Sequence, residues 1–216
     1  MIGIIDSGIG GREIEKEIKK LLPMVKIEYF ADRRNFPYGT KKVEDLRRIL
    51  RNNIEVLLKK GAEVIVLACN SATVSSVEYL RKYFNVPIVG VIPAIKSAAE
   101  VTKNRRIAVF STPITSKSLA QDDLIHKYCQ DIIVYKIPFK NLAGLIEDDE
   151  INIAISEISK VWQKYKDENI DVIVLGCTHY TLIKREIQKI VGAKIKIIDS
   201  NEAVAKQVKN IYDKIT

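Results

Sequence analysis

Short apolar runs recur along the chain, at Ile2–Ile5, Lys26–Phe30, Val64–Ala68, Ile88–Val91, Ile107–Phe110, Ile132–Lys136, Val172–Gly176 and Lys194–Ile198. Several are β-branched and bounded by Gly, Pro, Asn or Asp. Their apolar residues are consecutive rather than alternating, as strands buried on both faces require. Helical patterns fill most of the gaps. The clearest places Ile151, Ile155, Ile158, Trp162 and Tyr165 at spacings of 4, 3, 4 and 3, one face of an amphipathic helix. Strand and helix in alternation predict an α/β fold whose parallel sheets carry helices on both faces.

Two of these runs are near copies. "VIVLACNSAT" spans Val64–Thr73 and "VIVLGCTHYT" spans Val172–Thr181, and each passes from an apolar strand through a small residue to a cysteine, Cys69 or Cys177. A second pair, "IGIIDSGIG" from Ile2 and "IAVFSTPIT" from Ile107, repeats at an offset of 105 residues, against 108 for the cysteines. Two independent pairs at nearly one offset point to an internal duplication. Ligands of open parallel sheets bind beyond the carboxyl ends of strands. The loops Asp6–Gly11, Cys69–Thr73, Ser111–Ser118 and Cys177–Tyr180 all fall there. The expected architecture is two similar doubly wound parallel-sheet lobes related by pseudo-twofold symmetry. Lobes that face each other in that way would direct the two cysteines into one cleft from opposite sides.

Composition narrows the setting. With 216 residues, 47% hydrophobic and 29% charged, the chain can bury one large core or two small ones. Met1 leads straight into "IGII" without the layout of a signal peptide, and the apolar runs are far shorter than a membrane span. A cytoplasmic protein with no membrane partner is expected. Three cysteines do not make a disulfide framework. The net charge of +8 raises nucleic acid as a partner, but the basic residues are interleaved with acids, as in "REIEKEIKK". A generally basic surface accounts for that pattern better than a nucleic-acid site.

Two reactive groups on opposite faces of a small substrate are what inversion of a stereocentre needs. At a carbon α to a carboxylate, a thiolate on one face removes the proton and a thiol on the other returns one. A free thiol has a pKa of about 8.5, so modest tuning keeps one ionised and one protonated near neutrality. Candidate tuners are His179, just past Cys177, and Asp6, at the end of the first strand. Ser7, Asn70, Ser71, Thr112, Thr115 and Thr178 offer hydroxyls, an amide and loop N–H groups for the substrate carboxylate and the charge that develops there. "GIGG" falls short of a nucleotide-binding fingerprint.

The motifs "DSGIGG" (Asp6–Gly11), "ADRRNFPYG" (Ala31–Gly39), "ACNSAT" (Ala68–Thr73), "VPIVGVIPAIKSA" (Val86–Ala98), "STPITSKS" (Ser111–Ser118), "LGCTHYTLI" (Leu175–Ile183) and "DSNEAVA" (Asp199–Ala205) span almost the whole chain. In this order they resemble the glutamate racemases of the aspartate/glutamate racemase superfamily. The resemblance implies a cofactor-independent interconversion of L- and D-glutamate that supplies D-glutamate for peptidoglycan. It implies Cys69 and Cys177 as the acid–base pair, with Asp6 assisting the first and His179 the second. Ser7, Tyr38, Gly39, Asn70, Ser71, Thr115 and Thr178 would hold the substrate. "LAGLIE" places an assisting glutamate at Glu147, although the Cys-Pro usual before that motif is missing. The family's lobes imply one domain of residues 1–92 with 199–216 and another of 93–198. The chain is shorter than typical members, with the difference assigned to the second lobe. "GVIPAIK" resembles a subgroup that responds to a cell-wall precursor, but the N-terminal extension linked to that response is not present, so the regulation is not carried over.

Other readings of the same residues stand beside this one. A racemase or isomerase of the superfamily acting on aspartate or hydantoin would use the same thiols. A catalytic zinc on Cys69, Cys177 and His179 is disfavoured, because thiols spaced to admit a substrate are too far apart to share a metal. A non-catalytic binding module would use the basic surface. A homodimer is compatible with all of these. Residue by residue, Asp6, Asn70 and Thr178 could be helix caps, and Tyr38 and Gly39 a "PYG" turn. Glu147 could belong to the solvated acidic run "EDDE". Cys129 reads as a core filler and His126 as a surface residue.

Overall fold

The computed structural model describes residues 1–215. The chain divides into two compact units, Met1–Ile92 together with the chain from Ser200 onward, and Pro93–Asp199. The first begins with β1 (Ile2–Asp6), α1 (Arg12–Leu21), β2 (Ile27–Ala31), α2 (Val43–Lys59), β3 (Val64–Leu67), α3 (Asn70–Tyr83) and β4 (Ile88–Gly90). The second holds α4 (Ile95–Val101), β5 (Arg106–Ser111), α5 (Pro113–Ser116), α6 (Leu119–Tyr128), β6 (Ile133–Pro138) and α7 (Leu142–Glu147). It continues with α8 (Ile151–Trp162), β7 (Val172–Gly176), α9 (Thr178–Leu182), α10 (Lys184–Val191) and β8 (Lys196–Ile198). The last helix, α11 (Asn201–Ile215), packs against α1 and so belongs to the first unit.

Each unit is built on a four-stranded parallel sheet, in the order β2-β1-β3-β4 in the first and β6-β5-β7-β8 in the second. The order is the same in both: second, first, third, fourth. The registers agree too. Ile2 pairs with Val64 in the first sheet, and Ile107 pairs with Val172 in the second. These are the starting residues of the four repeated sequence stretches. The offsets of 105 and 108 therefore reconcile, because the extra residues lie between β5 and β7 rather than in either strand.

Consecutive apolar positions cover both faces of each sheet, since successive side chains of a strand point to opposite sides. In the first unit, Ile5, Ile65 and Leu67 pack with Leu50, Ile54 and Leu57 of α2. Ile2, Ile4, Val64 and Val66 pack on the other face with Ile14 and Ile18 of α1 and Val204, Ala205 and Val208 of α11. In the second unit, Phe110, Ile173 and Leu175 meet Ile158 and Trp162 of α8 and Ile187 of α10. Ile107, Val109, Val172 and Val174 meet Ile95 and Ala98 of α4. Cys129 lies in this last cluster, and burial raises its thiol above the ordinary range.

Most expected strands agree with the structure to within a residue or two at each end. β8 begins at Lys196 rather than Lys194, because the chain turns first: Gly192 takes φ +92° at the end of α10 and Ile195 N–H donates to its carbonyl. α8 ends at Trp162, and Tyr165 packs on the same core from the turn beyond.

Two contacts give tests of the fold. A Cβ at Gly90 would lie 2.4 Å from Thr73 Cγ2, while the Thr73 hydroxyl is held by the carbonyls of Leu67 and Cys69 at 3.2 and 3.1 Å. Gly90→Ala is expected to cost about 1–3 kcal/mol of unfolding free energy, measured by urea denaturation. Asp171, before β7, receives the Thr102 hydroxyl at 2.5 Å and the N–H groups of Lys103 and Asn104 at 2.6 and 3.1 Å. Burial alone would raise its pKa, but these donors outweigh burial and hold it below the usual carboxylate value. A depressed folded-state pKa adds stability above the unfolded value and loses it as pH falls through the folded one. Asp171→Asn should lower the melting temperature near pH 7, and the gap to the parent should close below about pH 4.

Candidate active site

The carboxyl end of the first sheet gathers the residues expected around Cys69. Asp6 is fully buried at the end of β1, and its Oδ1 accepts the Gly8 N–H at 2.8 Å. It shapes its own turn and does not cap α1, whose N-cap is Gly11 without a side-chain cap bond. The Tyr29 hydroxyl donates to Gly8 O at 2.8 Å and pins the same loop. Gly11 is required by close approach: a Cβ there would sit 2.7 Å from Ala68 Cβ and 3.2 Å from Asp6 Cβ. The glycine thus lets the "DSGIGG" loop lie against the strand end that leads into Cys69.

Cys69 is 8% exposed and is the N-cap of the fourteen-residue α3, where unpaired backbone N–H groups favour negative charge. Ser7, Asn70 and Ser71 are buried, and the Asn70 amide reaches Val91 O at 3.5 Å. Asn70 and Ser71 are the first two helical residues, so Asn70 is not the cap that the sequence allowed.

Tyr38 and Gly39 are both buried in a single 3-10 turn, Tyr38–Thr40, after a cis Phe36–Pro37 bond. The Tyr38 hydroxyl donates to Asp32 Oδ2 at 2.7 Å. The Asn53 amide donates to the same oxygen at 2.9 Å and to the Tyr38 oxygen at 3.1 Å, and Asn35 donates to both Asp32 oxygens at 3.0 Å. Asp32 N–H in turn donates to Asp6 O at 2.8 Å. Tyr38 is held far above the ordinary phenol range, first by burial, then by its bond to Asp32, with the charges of Asp32, Cys69 and Asp6 adding. It stays a neutral phenol beside the thiol. Asp32 and Asn53 were not among the sequence candidates. Asp32 follows the end of β2 as Asp6 ends β1, which is the signal that could have found it. Asn53 lies in mid-α2 and only tertiary packing brings it here. A cavity of about 570 Å³ in this unit has Asp32 and Asn53 in its lining, with Arg33, Arg34 and Arg48 around them.

The second sheet gathers a different set. Thr112 is the N-cap of α5, its hydroxyl accepting the Thr115 N–H at 3.4 Å and meeting the Thr115 hydroxyl at 3.2 Å. Cys177, 7% exposed, is the N-cap of α9, and the buried Thr178 and His179 follow as its first helical residues. His179 Nε2 lies 2.8 Å from Glu147 Oε2, with the two side chains 3% and 10% exposed. Glu147 ends α7, which packs on α9. The acidic run is therefore split: Asp148, Asp149 and Glu150 are exposed, whereas Glu147 turns inward to the histidine. Tyr180 is fully buried, with its phenol raised well above the ordinary value by burial first and by the charges of Cys177 and Glu157 after that. His126 is exposed.

Each buried thiol thus sits at a strand-to-helix junction with a carboxylate network built into its own unit. Among the described residues no three His, Cys, Asp or Glu side chains are grouped as metal ligands, and no helix is long and apolar enough to cross a membrane.

Residues 12–208 match the model of the Asp/Glu/Hydantoin racemase family. A glutamate racemase of Clostridium acetobutylicum is 37% identical over 99% of this chain and 84% of its own length. One from Clostridium botulinum is 36% identical over 96% and 82%. Among solved structures, Escherichia coli glutamate racemase in complex with L-glutamate and the activator UDP-MurNAc-Ala superposes with a TM-score of 0.92 at 27% identity, covering 98% of this chain and 82% of that one. A Bacillus anthracis glutamate racemase gives 0.88 at 29% identity, covering 99% and 82%. With the two thiols at equivalent strand ends of two like sheets, these matches establish that the chain belongs to the Asp/Glu/Hydantoin racemase family.

Proposed function

We infer that this chain is a glutamate racemase that interconverts L- and D-glutamate without a cofactor, with Cys69 and Cys177 as its acid–base pair. The observation that carries the reading is the placement of two buried thiols as N-caps at equivalent positions of two topologically identical sheets. Relatives 36–37% identical to it in sequence carry the name glutamate racemase. In one direction the Cys69 thiolate takes the α-proton and the Cys177 thiol returns a proton to the other face; the reverse direction exchanges the roles. No proton is gained or lost overall, and the resting enzyme is regenerated when the transferred protons exchange with solvent.

The supporting groups differ in kind. Asp6 and the neutral Tyr38 stand on the Cys69 side, and the His179–Glu147 pair on the Cys177 side. Ser7, Gly39, Asn70, Ser71, Thr112, Thr115 and Thr178 supply donors to the amino acid's carboxylates, which carry more charge as the α-carbon is deprotonated. The D-glutamate formed serves peptidoglycan synthesis in the cytoplasm.

Purified protein given L-glutamate and no cofactor should drive the circular dichroism of the solution to zero as the racemic mixture forms. Cys69→Ala and Cys177→Ala should each lower turnover by about 10²–10⁴-fold while keeping the parent's far-ultraviolet spectrum. Racemisation at the parental rate by the double variant would sink the two-thiol reading. Rates on aspartate measured beside glutamate decide between the two substrates within the family.

The histidine pair gives a separate test. Glu147→Ala leaves a buried imidazole nitrogen without its partner and should cost about 1–3 kcal/mol of stability, with a fall in turnover. Glu147→Gln keeps a hydrogen-bonding group at that position and should lose less of both. Equal losses for the two variants, by thermal melting and by turnover, would count against the pairing.

A further inference from the structure

We infer that Ser111 is a substrate-contacting residue on the Cys177 side, its hydroxyl donating to a carboxylate oxygen of the amino acid. The inference rests on the reading of Cys177 as one of the two acid–base groups. Its starting point is the equivalence of the sheets. With Ile2 paired to Val64 and Ile107 paired to Val172, Ser111 occupies in β5 the place that Asp6 occupies in β1. Asp6-Ser7 in the first unit thus corresponds to Ser111-Thr112 in the second.

The two positions are treated differently by their surroundings. Asp6 has a partner in the Gly8 N–H. Ser111 is fully buried and its Oγ has no hydrogen-bond partner among the described residues. Its carbonyl is engaged, accepting from Phe139 N–H at 2.9 Å and the Tyr180 hydroxyl at 3.4 Å, so only the side chain is left over. A buried hydroxyl without a partner is a standing cost to the fold, and such groups in a functional fold call for a partner in the working state.

Position decides what that partner is. Ser111 pairs in register with Gly176, the residue before Cys177. A Cβ at Gly176 would lie 3.2 Å from Ser111 Cβ, so the serine abuts the backbone that delivers the thiol. On its other side the Thr112 hydroxyl is already used in the turn with Thr115. That leaves Ser111 as a hydroxyl at the carboxyl end of β5, in the place Asp6 holds in β1, with its donor uncommitted. An incoming carboxylate is the complementary group, being an acceptor only.

The test is Ser111→Ala, assayed in both directions and melted with and without glutamate. Because the hydroxyl has no partner among the described residues, its removal should leave the ligand-free melting temperature unchanged or raised. kcat/KM should fall by about ten- to a hundredfold, the loss of a hydrogen bond to a charged group. The fall should be equal in both directions, since a racemisation has an equilibrium constant of one, and it should lie mainly in KM. The rise in melting temperature produced by saturating glutamate should shrink. A lowered ligand-free melting temperature with an unchanged glutamate-induced rise would assign the hydroxyl a structural role and overturn the inference. Unchanged kcat/KM with unchanged stability would overturn it as well. Cys177→Ala run in parallel separates the layers: if that variant racemises at the parental rate, the acid–base reading falls whatever Ser111 does, and if it is inactive, Ser111→Ala judges this inference alone.

Discussion

A parallel strand buried on both faces gives a side chain one place to meet a ligand, the turn beyond its carboxyl end. Everything distinctive in this chain follows from that restriction. β3 and β7 are covered above and below by helices, and Cys69 and Cys177 follow just beyond the ends of these strands, at the edge of the same core clusters. Each is then held from both directions, by the buried strand before it and the helix after it. A sulfur anchored in this way keeps its place without depending on loop order. The glycines at Gly11 and Gly90 belong to the same arrangement, letting the chain draw close around α3 and the residue before Cys69.

The duplicated scaffold carries unlike chemistry. Around Cys69 the polar groups are a carboxylate, a neutral phenol and a second carboxylate saturated by donors from Tyr38, Asn35 and Asn53. Around Cys177 they are an imidazole and the carboxylate that orients it. The scaffolds are alike and the polar groups around the cysteines are not, and the exchange of Asp6 for Ser111 at one equivalent position is the same divergence at the scale of a single residue.

What the sequence disclosed was local in origin. The strands, the paired repeats and the two cysteines could be read because each depends on neighbours a few residues away, and the repeated stretches begin at residues that pair in equivalent registers in the two sheets. What it concealed was long-range. The "LAGLIE" resemblance names Glu147, but the acidic run alone leaves a solvated face open, and its pairing with His179 comes only from α7 packing on α9. Asp32 and Asn53, 21 residues apart, meet only when α2 packs beside the end of β2. Asn70 and Thr178 looked like caps because polar residues often are, whereas the cysteines themselves take the cap positions. Pairings of this kind are consequences of packing and leave no mark on composition or spacing.

The position of α11 bears on how the protein is made. Val204, Ala205 and Val208 complete the core face formed by Ile2, Ile4, Ile14, Ile18, Val64 and Val66, yet they are synthesised after the whole of the second unit. While the ribosome works through residues 93–199, the first unit stands with part of an apolar face uncovered, and the continuous second unit has all its own parts in hand first. A chain arrested before Asn201 would keep both cysteines and still lack the helix that closes the sheet carrying one of them. A product lacking α11 would leave that apolar face open, the kind of surface that exposes a chain to aggregation and proteolysis.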